Sequence, residues 1–202
     1  MNIAINGFGR IGRTIFKILV DKKINVVAIN DTHGAEQAAY LLKYDSVYGP
    51  YGKKVEAKGN YLIVNNKKIP VLSERDPSKL PWKALKVTFV IESTGAFTNA
   101  KDAVAHIKAG AKKVIITAPA KNPDVTIVPG VNDSWLKSNH RIISVGSCTT
   151  NCTAPIAKVL IDNFGVKYAM LTTIHAYTND QALQDSAHHN VRRGRAGALN
   201  MV

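Results

Sequence analysis

Apolar and polar residues follow two rhythms along this chain, and the rhythms take turns. MNIAIN at the start alternates with the period of a strand and ends in the turn GFGRIG. RTIFKILVDK then carries Ile15, Ile18 and Leu19 at helical spacing, and INVVAIND is an unbroken apolar run closed by an acid. Strand, turn, helix and strand within about thirty residues are the footprint of a right-handed βαβ unit.

The alternation continues. AEQAAYLLKY reads as a helix, and KKVEAKGNYLIVNNKKIPVL as short strands joined at Gly and Asn-Asn turns. TFVIEST predicts a buried strand and NAKDAVAHIKAG a helix. KKVIITAP and RIISVGS predict two more strands, CTAPIAKVLIDNFG a helix, and KYAMLTTIHAYTN a final strand. Such alternation implies an α/β fold, a doubly wound, mostly parallel sheet with helices on both faces. The pattern is expected to close near residues 146–148. That divides the chain into a Rossmann-type 1–147 and a following segment, 148–202.

Composition changes this picture little. The start lacks the order of a signal peptide, no apolar run is long enough for a membrane span, and cysteine is too scarce for a disulfide scaffold. These features point to a cytoplasmic protein with no membrane partner. The net charge of +13 raises nucleic acid as a ligand, but the lysines are scattered in pairs such as Lys22-Lys23 and Lys112-Lys113. No aromatic residues interleave with them as a base-stacking surface requires. Only VRRGRAG gathers arginines, and recognition of a small anion explains that cluster equally well.

Chemistry concentrates at three places. Gly7, Gly9 and Gly12 form G-x-G-x-x-G directly after the first strand. One glycine serves the tight turn, one the close approach of a pyrophosphate, and one the packing of helix on strand. Asp31 ends the next strand, where a carboxylate accepts ribose hydroxyls and repels a 2′-phosphate. NAD is therefore expected over NADP.

The second place is IISVGSCTTNC, which carries both cysteines, Cys148 and Cys152. A disulfide four residues apart on a helix is strained, and C-x-x-x-C alone makes no metal site, so no metal is expected. Two inert buried thiols remain an alternative to a nucleophile. In the functional reading Cys148 stands at a helix N-terminus, which favours the thiolate and can steady an oxyanion. Ser147, Thr149 and Thr150 add hydroxyls there, and Cys152 is expected to face packing. The third place is His175, at the end of the last expected strand and a candidate base. His33, His106, His140, His188 and His189 read as surface residues.

In this order the segments INGFGRIGR, YLLKYDSVYG, ERDP, ESTGAF, GAKKVIITAPAK, SCTTNC, IHAYTNDQ and RRGRAGA resemble the phosphorylating glyceraldehyde-3-phosphate dehydrogenases over essentially the whole chain. The resemblance implies 1–147 as the NAD-binding domain and 148–202 as the beginning of an α+β catalytic domain, with Cys148 as nucleophile and His175 as base. It implies cofactor contacts at Arg10, Ile11, Asp31, Arg75, Thr94, Gly95 and Thr117. Ser147 and Thr149 would hold phosphate or substrate oxygens, and Thr178 with Asp180 the substrate phosphate. Glyceraldehyde 3-phosphate and inorganic phosphate would be the substrates, and a homotetramer the assembly. The alternatives are erythrose-4-phosphate dehydrogenase, whose members tend to have Asn-Glu in place of Asn30-Asp31, and a truncated NAD-binding module with little activity. Family members extend beyond the segment matching Val202, so the chain is expected to be an N-terminal fragment. Val145-Gly146 replaces the family's usual Asn-Ala, and RRGRAGA departs from its RRARAAA.

Overall fold

The computed structural model describes residues 1–201. Two compact units divide the chain, Met1–Asn163 and a second beginning at Phe164, and each is described by itself. The first opens with β1 (Asn2–Asn6), α1 (Arg10–Asp21), β2 (Asn25–Asn30) and α2 (Gly34–Lys43). An antiparallel meander follows: β3 (Val55–Lys58), β4 (Tyr61–Val64) and β5 (Lys67–Leu72). Asn65 and Asn66, both at positive φ, form the tight β4–β5 turn, as their sequence predicts. Then come β6 (Phe89–Glu92), α3 (Ala100–Lys108), β7 (Lys113–Ile116), β8 (Val125–Thr126), β9 (Ile142–Ser144) and α4 (Cys148–Phe164).

The strands form one sheet in the order β3-β4-β5-β2-β1-β6-β7-β9-β8, parallel from β5 onward. This is the mostly parallel Rossmann-type sheet that the alternation predicts. Its pleat divides the core. Ile3, Ile5 and Ile29 point to one face, under Phe16 and Leu19 of α1 and Leu42 of α2. Ala4, Ala28, Val90 and Val114 point to the other, under Ala103 of α3 and Trp82. Each large side chain so buried contributes about 1.5–3 kcal/mol.

Register does more for function than any single contact. Leu72, Asn30, Asn6, Glu92, Ile116 and Ser144 are paired in one row across six parallel strands. The residues that follow each strand therefore emerge along one carboxyl edge, where open α/β sheets bind ligands.

Two expectations fail here. Residues 167–179 form no strand; Tyr168, Met170 and Ile174 lie almost wholly in solvent. A strand is defined by its ladder, and no partner strand runs beside this segment among the described residues. His106 is not a surface residue: it is fully buried on α3, between Trp82 and Glu92.

Candidate active site and dinucleotide edge

The glycine turn is built by close packing. Gly7 has φ +89°, and a Cβ on it would lie 2.6 Å from the backbone nitrogen of Thr94. A Cβ on Gly12 would lie 2.1 Å from the carbonyl oxygen of Gly7, so α1 meets the turn with no room for a side chain. Around Gly9 the reverse holds: no heavy atom lies within 4 Å of where its Cβ would stand. Gly9 is also the N-cap of α1, which has no side-chain cap and no acid in its first turn. Open space before uncapped N–H groups fits a pyrophosphate. Arg10 and Ile11 are exposed in that first turn. The Arg10 side chain turns away, however, to Asp45 Oδ2 at 2.6 Å.

Asp31 stands one residue beyond β2. Its Oδ2 accepts from Phe8 N at 2.7 Å, and its Oδ1 from His33 N at 2.9 Å, with the His33 ring nitrogen Nδ1 also at 2.9 Å. Burial pushes the Asp31 carboxyl up, but these hydrogen bonds outweigh it and hold the group below the ordinary carboxylate value. An ionised acceptor therefore faces a cleft of about 150 Å³ lined by Phe8, Gly9, Arg13, Asp31, His33 and Gln37, among others. Arg13, itself buried, braces the turn by donating from Nη1 to Phe8 O at 2.9 Å.

The other expected cofactor residues follow the row. Exposed Arg75 lies on the loop after β5, and Thr94 and Gly95 on the turn after β6. Thr117, just past β7, donates from both N and Oγ1 to the carbonyl of Glu92, at 3.0 and 3.1 Å.

Past β9 the chain turns through Gly146, at φ +70°, into α4. The left-handed conformation gives Gly146 a local reason to be glycine. Ser147 caps α4, its Oγ accepting from Thr150 N at 2.9 Å, and Cys148 is the first helical residue. Asn151 Nδ2 ties the helix back to Val145 O at 2.6 Å and Ser147 O at 2.9 Å. Thr149 is half-buried in the same first turn. Cys152 does not face packing. Both cysteines are exposed, and α4 buries none of its residues.

His175, Thr178 and Asp180 belong to the second unit. His175 is exposed, with Nδ1 2.6 Å from Ala176 O. Thr178 N donates to Gln181 Oε1 at 3.0 Å. Asp180 lies 3.0 Å from Arg193 Nη1 and 3.7 Å from His188 Nε2. Arg195 is 2.6 Å from Asp185. The arginine cluster is thus largely paired within its own loop, and His188 is half-buried rather than a surface residue.

Residues that sequence reasoning passed over include Asp45, Arg13 and Glu92. Asp45 is a buried carboxylate that receives Arg10 at 2.6 Å and Lys17 at 3.2 Å. The Arg10 hydrogen bond, outweighing burial, holds its carboxyl well below the ordinary range. YDSVYG and ESTGAF, which contain Asp45 and Glu92, are where a signal lay.

Comparison with known proteins decides the family. Residues 1–100 match the glyceraldehyde 3-phosphate dehydrogenase NAD binding domain, and residues 147–202 the C-terminal domain of the same enzymes. The chain belongs to the glyceraldehyde-3-phosphate dehydrogenase family. It is 56% identical to glyceraldehyde-3-phosphate dehydrogenase of Thermotoga maritima, over 99% of this chain and 61% of that protein. It is 52% identical to glyceraldehyde-3-phosphate dehydrogenase 1 of Bacillus subtilis, over 100% of this chain and 61% of that one. The Borreliella burgdorferi relative is 50% identical, over 100% of this chain and 62% of its own length. The chain thus spans about three fifths of the length of the relatives it matches. NAD, the cofactor expected from Asp31, is the one this family's first domain takes. Among the described residues no helix is long and apolar enough to cross a membrane.

Proposed function

We propose that this chain carries the NAD site and the nucleophile of a phosphorylating dehydrogenase, which oxidises glyceraldehyde 3-phosphate to 1,3-bisphosphoglycerate in glycolysis. The observation that carries the reading is the shared edge. Cys148 starts α4 four residues beyond Ser144, in the same row that delivers Gly7, Asp31, Thr94 and Thr117. A thiol at the mouth of a capped helix is placed for attack on a carbonyl, with the helix end favouring thiolate and oxyanion alike.

The Cys148 thiol gives its proton to His175, the thiolate adds to the aldehyde carbon, and the oxyanion takes the proton back to give a hemithioacetal. His175 takes the hydroxyl proton as the carbon loses hydride, and the product on sulfur is a thioester. NAD, when bound, supplies the hydride acceptor. An oxygen of inorganic phosphate then attacks the thioester carbonyl, and the Cys148 thiolate leaves. Ser147 and Thr149 hold phosphate or substrate oxygens, and Thr178 with Asp180 the substrate phosphate. The domain division is 1–147 for NAD and 148–202 for the start of the catalytic domain. The whole protein acts in the cytoplasm as a homotetramer.

The test is NADH formation by the protein purified from its source. It is expected with glyceraldehyde 3-phosphate, to depend on inorganic phosphate, and to vanish in Cys148→Ser. Preference for erythrose 4-phosphate, or undiminished turnover by the serine variant, overturns the assignment.

A further inference from the structure

Beneath the carboxyl edge runs one continuous chain of buried hydrogen bonds. Trp82 Nε1 donates to His106 Nδ1 at 2.9 Å. An indole only donates, so the His106 proton sits on Nε2, 2.9 Å from Glu92 Oε2. Asn6 Nδ2 donates to the same oxygen at 2.6 Å, and Asn6 Oδ1 accepts from Asn30 Nδ2 at 2.7 Å. Asn30 then clasps the backbone of Glu74, giving Nδ2–H to its oxygen at 2.8 Å and accepting its N–H at 2.9 Å. At the other end, Glu92 Oε1 accepts from Thr94 N at 2.8 Å and from Thr94 Oγ1. Trp82, His106, Glu92, Asn6 and Asn30 are all buried.

This chain touches every segment assigned to the cofactor in the first half of the edge. Asn6 precedes Gly7, Asn30 precedes Asp31, Glu74 precedes Arg75, and Thr94 is itself one of the expected contacts. Stability alone does not require such a device, because apolar residues of similar volume usually serve a core as well or better. A polar chain that starts in the core and ends on the backbones of two ligand loops does something apolar packing cannot: it fixes their separation. Supporting shells of this kind hold binding groups within about 0.5 Å of productive geometry.

We propose that Glu92 and Asn30 are positioning residues for the dinucleotide, acting through Thr94 and the Arg75 loop, with His106 and Trp82 setting the orientation of Glu92. The proposal rests on reading this edge as the NAD site. In Glu92→Gln one acceptor oxygen becomes a donor, and it must oppose either the donors of Thr94 or those of Asn6 and His106.

The experiment is calorimetric titration of NAD into the 202-residue chain and its variants, each with a urea midpoint. Glu92→Gln and Asn30→Ala are each expected to weaken NAD by about tenfold, the upper end of what one hydrogen bond contributes. Their double variant is expected to lose less than the product of the two, as members of one network do. Val90→Ala, buried in the same strand but outside the chain of hydrogen bonds, is expected to lower the urea midpoint and leave NAD affinity within about twofold. Trp82→Phe removes the donor to His106, in the core and outside the ligand loops, and is expected to weaken NAD by about threefold. Should Glu92→Gln fail to fold, Asn30→Ala and Trp82→Phe decide the matter. Wild-type affinity in both Asn30→Ala and Trp82→Phe, or an equal loss in Val90→Ala at matched stability, overturns the positioning role while the NAD site stands. Failure of the unsubstituted chain to bind NAD overturns the dehydrogenase reading and this proposal with it.

Discussion

Cys148 and His175, the two residues proposed for the chemistry, sit in regions of opposite construction. The region of Cys148 ends a nine-stranded sheet whose register places six strand ends in one row. The region of His175 has the alternation of a strand and no ladder, so its apolar residues Met170, Leu171 and Ile174 stand in solvent. Below Asp180 the second unit is held by ion pairs and turns: Arg193 and Arg195 on Asp180 and Asp185, and the Ala182 and Ser186 N–H groups on the carbonyls of Arg193 and Gly194. The difference teaches that a helix start is a local property, carried by Ser147 and its hydroxyl, whereas a strand is a property of pairs.

Hydrogen exchange should give the widest separation. Amides of Ile5, Ile29, Val90 and Ile115 are expected to exchange at least ~1,000-fold more slowly than those of residues 168–176, since only the former lie in paired core strands. Equal protection in both would erase the contrast.

Next in size is the steric lock of the glycine turn. Gly12→Ala drives a methyl into the carbonyl of Gly7, and about 3 kcal/mol of stability should be lost in denaturant unfolding. Gly9→Ala meets open space, so it should change stability by less than about 0.5 kcal/mol while weakening NAD binding. A stable Gly12→Ala, or a Gly9→Ala that binds NAD normally, would break the division between packing and ligand glycines.

Asp45→Asn should cost about 2 kcal/mol at neutral pH, because Arg10 and Lys17 lose a buried charged acceptor. The folded-state pKa of Asp45 lies below its unfolded value, so its contribution is full above the ordinary carboxylate value near ~3.9 and declines as pH falls through the lower, folded one. Thermal midpoints of wild type and variant should therefore differ by a constant amount from about pH 5 to 7 and converge only in stronger acid. Smallest of all, Asp180→Asn removes an exposed pair with Arg193 and should shift stability by about 0.5 kcal/mol or less. A larger loss would mean that the second unit is more tightly built than its exposure indicates.

What could be read from the sequence was local. The glycine turn, Asp31, the Asn65-Asn66 hairpin and the capped start of α4 depend on residues within a few positions of one another, and each stands as its pattern predicts. His106 could not be read, because its partners Glu92 and Trp82 lie in other elements and only the fold brings them to it. Cys152 was misplaced because helical spacing tells which residues share a face and not whether anything covers it. Ile156, Val159 and Ile161 on the same helix are exposed for the same reason. The expected strand at 167–179 failed because alternation specifies a face and leaves the partner unspecified.

The contact between Gly7 and the backbone of Ser93 and Thr94 also bears on the order of events during synthesis. The glycine turn leaves the ribosome before the backbone it packs against, which follows only after β2 to β5 have been made. Glu92, which anchors both Asn6 and Thr94, arrives at the same late point. A nascent chain should therefore acquire cofactor affinity in one step, as β6 docks beside β1, and not gradually from the moment its glycine motif emerges.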